Sequence, residues 1–179
     1  MKEKIFKNFT YFVVGGVSTL TFCNFTLPYL TYTIRYNEEL LETVKMPING
    51  YNLMNFWNLG FGGVIASLIQ ILVLTLSLLL LILSVGGILK TVGVLKDFPD
   101  KLGKYEIKKI LYLGLILHFG LNCLLLIFLI VIAVTNSGNS MFYTYKYNLN
   151  VGIFMMLAWL IGSIIVYNIL PEKILSESK

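Results

Sequence analysis

The sequence predicts a mainly α membrane protein: a four-transmembrane-helix bundle with a small antiparallel β-sheet formed by the two extracytoplasmic loops. Three observations predict it. Of 179 residues, 57% are hydrophobic and only 13% charged, against about 25% charged in a soluble domain. The apolar residues are also blocked: no charge falls between Lys45 and Lys90, between Lys109 and Lys146, or between Lys146 and Glu172. Each block holds the roughly 20 residues needed to cross a hydrocarbon core about 30 Å thick. Between the blocks, two stretches alternate apolar and polar residues with period two, the signature of strand.

Span one is expected at residues 9–27 and is the weakest, because Ser18, Thr19, Thr21, Asn24 and Thr26 dilute its Val and Phe. Lys2, Lys4 and Lys7 precede it as in a signal peptide, but no small-x-small cleavage site follows, so the segment is expected to be retained. A long outer loop covers 28–60. Span two, at 61–89, is the strongest, with nineteen Leu, Ile, Val or Phe residues. At roughly −0.3 to −0.6 kcal/mol each on an insertion scale, these outweigh Gln70. A cytosolic loop covers 90–106, span three 107–134, a shorter outer loop 135–150 and span four 151–170, where Pro171 stops the helix. Spans two and three exceed the bilayer thickness and should tilt or project. The whole, 1–179, is read as one membrane domain.

Lys and Arg set the orientation. Eleven lie in the N-terminal arm, the central loop counted from Lys90 to Lys109, and the tail, and only Arg35, Lys45 and Lys146 lie in the other two loops. The positive-inside rule therefore puts both termini in the cytosol of a cell-membrane protein. The net charge of +5 is spent at membrane edges, which argues against nucleic acid as a partner. Cys23 and Cys123 fall inside expected spans and read as small packing residues. With no CxxC there is no redox or zinc signature.

In the outer loops, Leu30, Tyr32, Ile34 and Tyr36 alternate with Thr31, Thr33 and Arg35, and Tyr143, Tyr145, Tyr147 and Leu149 with Thr144, Lys146 and Asn148. A third segment, 44–48, ends near the Asn49-Gly50 turn signal. A lone hairpin is marginal in water, so one antiparallel sheet is expected to draw strands from both loops. Leu27-Pro28-Tyr29 runs from span one straight into a strand, and Gly50-Tyr51-Asn52-Leu53 with Phe56-Trp57 precedes span two. With that topology, the chain resembles the claudin-like superfamily: claudins, the peripheral myelin protein 22 group and the channel-accessory gamma subunits. It departs from the claudin loop pattern in having Leu30 near the early Trp position and no cysteine in either outer loop. The resemblance implies a four-helix bundle, cytosolic at both ends, with a sheet on its outer face.

The candidate chemistry is sparse. His118, the one histidine, lies in span three with Asn122 a turn away on the same face. An intramembrane ionisable residue is a functional candidate, but apart from Lys108 and Lys109 at the very edge of span three no Asp, Glu, Lys or Arg lies within a span to serve a relay. The plainer reading is a neutral His118 hydrogen-bonded to Asn122, Gln70 or a Ser/Thr. Gln70 and Asn24 read likewise as interhelical packing groups. Gly62 with Ala66 and Gly63 with Ser67 fit small-xxx-small packing, while Gly86, Gly87 and Gly93 are expected to loosen the inner end of span two. Tyr51, Phe56 and Trp57 suit an interfacial aromatic belt. Tyr32, Tyr36, Tyr143, Tyr145 and Tyr147, with Tyr51 and Trp57, are the candidate partner-binding set, because rigid amphipathic rings bring large contact area. Lys96, Lys101, Lys104, Lys108 and Lys109 would meet anionic headgroups.

No catalytic constellation, metal cluster or cofactor motif stands out, so the expectation is a non-enzymatic protein without cofactors. Its partners would be the lipid bilayer and another membrane or secreted protein, bound in an accessory or adhesion role. A bacterial immunity protein against a membrane-targeting toxin is the second reading. A homo-oligomeric pore or small transporter is the third.

Overall fold

The computed structural model describes residues 9–36, 44–49, 60–136, 138–139, 143–159 and 161–162. The chain is mainly helical, with small antiparallel sheets. Helix α1 spans Phe9–Phe25, strand β1 Pro28–Tyr36 and β2 Val44–Asn49. Helix α2 spans Gly60–Val92, the short strands β3 and β4 are Lys101–Leu102 and Tyr105–Glu106, and α3 spans Ile107–Thr135. Strands β5 (Gly138–Asn139) and β6 (Tyr143–Leu149) follow, then helix α4 from residue 151, described as far as 162.

Each long helix buries one stripe. On α2 the stripe is Gly63, Ala66, Gln70, Val73, Ser77, Leu80, Ser84 and Gly87, spaced alternately by three and four. That spacing keeps a single seam facing a neighbouring helix. On α3 it is Ile107, Leu111, Leu115, His118, Asn122, Leu125, Leu129 and Ile132. The seams carry Ser, Gln, His and Asn, whereas the exposed faces carry Leu68, Leu72, Leu79, Ile82, Leu113, Leu117, Leu124 and Ile127. A water-soluble amphipathic helix has the opposite arrangement. Both α2 and α3 are long and apolar enough to cross a membrane, and about a third of each apolar window is buried.

Local chemistry ends the helices where the sequence permits. Helix α1 stops at Pro28, which disfavours helical geometry in the residue before it. Helix α2 closes on Gly93 at φ +87°. There the Gly93 amide donates to the Lys90 carbonyl at 3.0 Å and the Val94 amide to Leu89 at 2.9 Å, the paired bonds of a Schellman cap. Gly86 and Gly87 do not loosen this end. They make room for aromatic rings, since a Cβ on Gly86 would sit 2.2 Å from the Phe98 ring and one on Gly87 2.2 Å from the Tyr11 ring. Cys23 is exposed, not packed, and Cys123 is half-buried; both are free thiols.

The chain divides into two compact units. One comprises residues 1–22, 73–120 and 160–179; among its described residues, Tyr11, Val14, Leu80, Ile107 and Leu111 form a core against which Leu76, Leu83, Ile88 and Phe98 pack. The other comprises 23–72 and 121–159 and contains the larger sheet, with strand order β2-β1-β6-β5. The segment between α1 and α2 thus supplies β1 and β2, and the segment between α3 and α4 supplies β5 and β6. Within this unit Phe25, Tyr29, Leu30, Ile48, Leu125, Leu129, Ile132, Ile153 and Met156 are buried.

Candidate functional site

The register of the four-stranded sheet sorts its residues. Leu30, Tyr32, Ile34 and Tyr36 of β1 stand opposite Leu149, Tyr147, Tyr145 and Tyr143 of β6, and Leu30, Tyr32 and Ile34 stand opposite Ile48, Met46 and Val44 of β2. Directly opposed residues share a face. One face therefore holds apolar and aromatic positions, including five tyrosines. The other holds Thr31, Thr33 and Arg35 with Asn148, Lys146, Thr144, Pro47 and Lys45. On the apolar face Leu30, Ile48 and Tyr147 are buried and Tyr32 is half-buried. Tyr32 and Tyr147 stack with ring centroids 4.8 Å apart at 33°, a pairing worth about 0.5–1.5 kcal/mol. On the polar face the Asn148 amide donates to the Thr33 hydroxyl at 3.4 Å.

The backbone also defines the sheet's rim. Proline has no N–H, so the Pro47–Thr31 pair cannot be a hydrogen-bonded one, and the β1–β2 bonds run through the Leu30–Ile48, Tyr32–Met46 and Ile34–Val44 pairs. Pro47 thus directs its donorless edge outwards, as blunted edge strands do. The opposite rim, β5, is two residues long.

A bulge joins sheet and helices. Between Pro28 and Leu30 the β1–β2 register shifts by one residue, so Tyr29 and Leu30 are both buried despite the period-two alternation. Tyr29 packs on Gly152, where a Cβ would fall 2.5 Å from the ring and 2.7 Å from the Pro28 carbonyl oxygen. Burial pushes the Tyr29 hydroxyl up to about 12, and a hydrogen bond with Gln70 partly opposes the shift. Asn150 closes the junction. Its amide N–H donates to the Tyr29 carbonyl at 2.9 Å, and its side-chain oxygen accepts the Val151 amide at 2.7 Å, capping α4. Its side-chain NH2 donates to the Thr31 hydroxyl.

The second candidate is a buried polar cluster. His118 Nε2 lies 3.0 Å from Ser77 Oγ and 3.2 Å from Thr21 Oγ1, so α1, α2 and α3 each contribute one group. Ser77 donates its hydroxyl proton to the Val73 carbonyl at 2.8 Å, and Thr21 donates to Val17 at 3.0 Å. Each hydroxyl thus has two acceptors within reach, its own helix carbonyl and His118 Nε2, and the cluster ties α1, α2 and α3 together through buried polar groups. Ser77 and His118 are also closed off, at 0% and 1% exposure.

The other sequence-derived candidates scatter. Gln70 and Asn122 are buried on the seams of α2 and α3, and Asn24 is half-buried at the end of α1. Gln70 Oε1 and Asn24 Oδ1 are buried and have no hydrogen-bond partner among the described residues. Tyr36, Tyr143 and Tyr145 hold strand positions, while Tyr51 and Trp57 lie outside the described residues. Residues that sequence reasoning passed over are Tyr29, Thr21, Ser77, Asn150 and Gly152. Asn150 had a legible signal, an Asn directly before an apolar helical run. Among the described residues, no three His, Cys, Asp or Glu side chains converge as a metal site would require. Comparison with protein-family models, curated proteins and solved structures finds no match.

Proposed function

We propose that the chain is a four-span integral membrane protein, cytosolic at both ends, that binds another protein through its extracytoplasmic sheet in an accessory or adhesion role. The carrying observation is the sheet itself: strands from two separate loops, paired so that five tyrosines share one face. Leu30, Ile48 and Tyr147 of that face are buried in the protein itself, so the contact is assigned to its other end, the Tyr36, Tyr143 and Tyr145 positions, where Tyr would contribute large area at low entropic cost. With Pro47 blunting one rim and a two-residue strand forming the other, the face is favoured over strand addition as the mode of contact.

Support for the membrane comes from the outward Leu, Ile and Val of α2 and α3, and from the Lys and Arg bias between loops. The claudin-like resemblance belongs to the same reading. A sheet built from a longer first and a shorter second outer loop is what it implies. The closure of the Ser77–His118 pair, both of whose side chains are buried, favours a non-enzymatic role.

The test is purification of the tagged protein from its native membrane in mild detergent, followed by mass determination and identification of whatever co-elutes. A stoichiometric second protein supports the proposal, and a toxin in that position would make the chain an immunity protein. A homo-oligomer alone overturns it and makes conductance the next measurement. Tyr36→Ser, Tyr143→Ser and Tyr145→Ser combined should release the partner. Tyr147 is left alone because its burial against Tyr32 makes it a packing residue.

A further inference from the structure

The loop between α2 and α3 is folded. Lys90 Nζ meets Asp100 at 2.8 Å, the Ile107 amide donates to the Asp100 carbonyl at 3.0 Å, and the Phe98 ring fills the space left by Gly86. These contacts tie the loop to the end of α2 and the start of α3. From this base β3 and β4 form a hairpin, with Lys101 opposite Glu106 and Leu102 opposite Tyr105. Gly103 turns the hairpin at φ +62°, the left-handed geometry that a two-residue turn needs.

This small structure exposes a surface with two chemistries. Val92, Val94, Leu95, Leu102 and Tyr105 are all exposed, Tyr105 at 66% and Leu102 at 55%. Lys96, Lys101 and Lys104 stand exposed among them, and among the described residues they enter no ion pair. Water is a poor environment for the first group, and a purely apolar partner is a poor one for the second. A headgroup layer suits both: apolar and tyrosyl side chains enter the boundary with the acyl chains, and lysine stems lie along it with their ammonium groups at the phosphates.

We propose that the β3–β4 hairpin and its flanks are an anchor for anionic phospholipid in the inner leaflet, with Leu102 and Tyr105 as the inserted wedge and Lys96, Lys101 and Lys104 as the phosphate-binding groups. The inference rests on the four-span orientation proposed above. In that orientation α2 ends and α3 begins at the cytosolic surface, whose anionic lipids draw basic segments at about 1 kcal/mol per lysine.

The test uses the full chain, purified in mild detergent and reconstituted into vesicles of phosphatidylcholine, with or without phosphatidylglycerol. Alkaline extraction of the vesicles comes first, since release of the protein would sink the membrane reading itself and the anchor with it. For protein that stays, native mass spectrometry counts the anionic lipids retained. The triple variant K96Q/K101Q/K104Q should weaken phosphatidylglycerol binding roughly five-fold per lysine removed, the fold-change equivalent to about 1 kcal/mol each, with an unchanged thermal melt. In L102W, quenching of the added tryptophan by brominated lipid should be strong with phosphatidylglycerol present and weak in phosphatidylcholine alone. Unchanged lipid retention in the triple variant, or a tryptophan at Leu102 quenched only from the aqueous phase or equally in both vesicles, would overturn the anchor.

Discussion

At the scale of single residues, two positions carry more than their size suggests. Gly152 is hydrogen-sized where Tyr29 and the Pro28 carbonyl crowd it. The obstacle at 2.7 Å is backbone and cannot swing aside, so Gly152→Ala should destabilise the sheet-bearing unit by about 1–3 kcal/mol, the range for overpacking. A melt followed by near-ultraviolet circular dichroism would read this directly. Tyr29 has a titration consequence. Its folded pKa, about 12, lies above the ordinary tyrosine value of 10.0, so between those pH values the folded chain holds a proton that the unfolded chain has lost. Stability from Tyr29 is therefore complete below pH 10 and falls as pH rises towards 12. Denaturant midpoints measured across that window should fall less steeply for Tyr29→Phe than for the native chain. Neither residue stood out in the sequence, because a bulge moves Tyr29 out of the period-two pattern and Gly152 looks like any helical glycine.

At the scale of elements, the strands and helices were readable and their joints were not. Alternation over 30–36 and 143–149 marks the strands because each contributes alternate residues to an apolar face. Charge-free runs mark the helices, with α2 extending a few residues past the expected 61–89 to the cap at Gly93. The β3–β4 hairpin was not legible: each strand is two residues long, too short for any periodicity. Nor were the partners of His118, since a sequence shows that a histidine lies on a seam but not which hydroxyls face it. Two predictions belong here. Asn150→Ala removes the cap on α4 and the bond to Thr31 together, so it should cost about 1–2 kcal/mol, while Asn150→Asp should keep the cap and lose only the donor to Thr31. Thermal melts of the two variants should separate these contributions. Pro47→Val would restore a donor to the outer rim of β2, and light scattering at rising protein concentration should then show more strand-to-strand association than in the native chain.

At the scale of the whole molecule, α2 and α3 would extend about 50 and 44 Å at 1.5 Å per residue, against a hydrocarbon core of about 30 Å. Their surplus length leaves room for the Lys90–Asp100 end of α2 to stand clear of the acyl chains. The proposed topology predicts where water reaches. A membrane-impermeant maleimide should label a cysteine substituted at Lys146 from outside intact cells, and one substituted at Lys104 only after lysis. The reverse pattern would invert the orientation and remove the basis for the inner-leaflet anchor. Class and topology could be argued from composition because hydropathy and lysine placement are properties of whole segments. Function resisted, because a binding face is specified by its partner as much as by its own tyrosines.

The seams of α2 and α3, lined by Gly, Ala, Ser, Gln, His and Asn with Leu and Ile turned outwards, carry a thermodynamic consequence. Helices that meet through such seams inside a bilayer remove little apolar surface from water, so their association should have a heat-capacity change near zero. In the proposed topology the sheet, which buries Leu30, Ile48 and Tyr147, lies in water and should keep the ordinary curved dependence on temperature. On cooling, that topology predicts that the sheet loosens while the helix pairs hold.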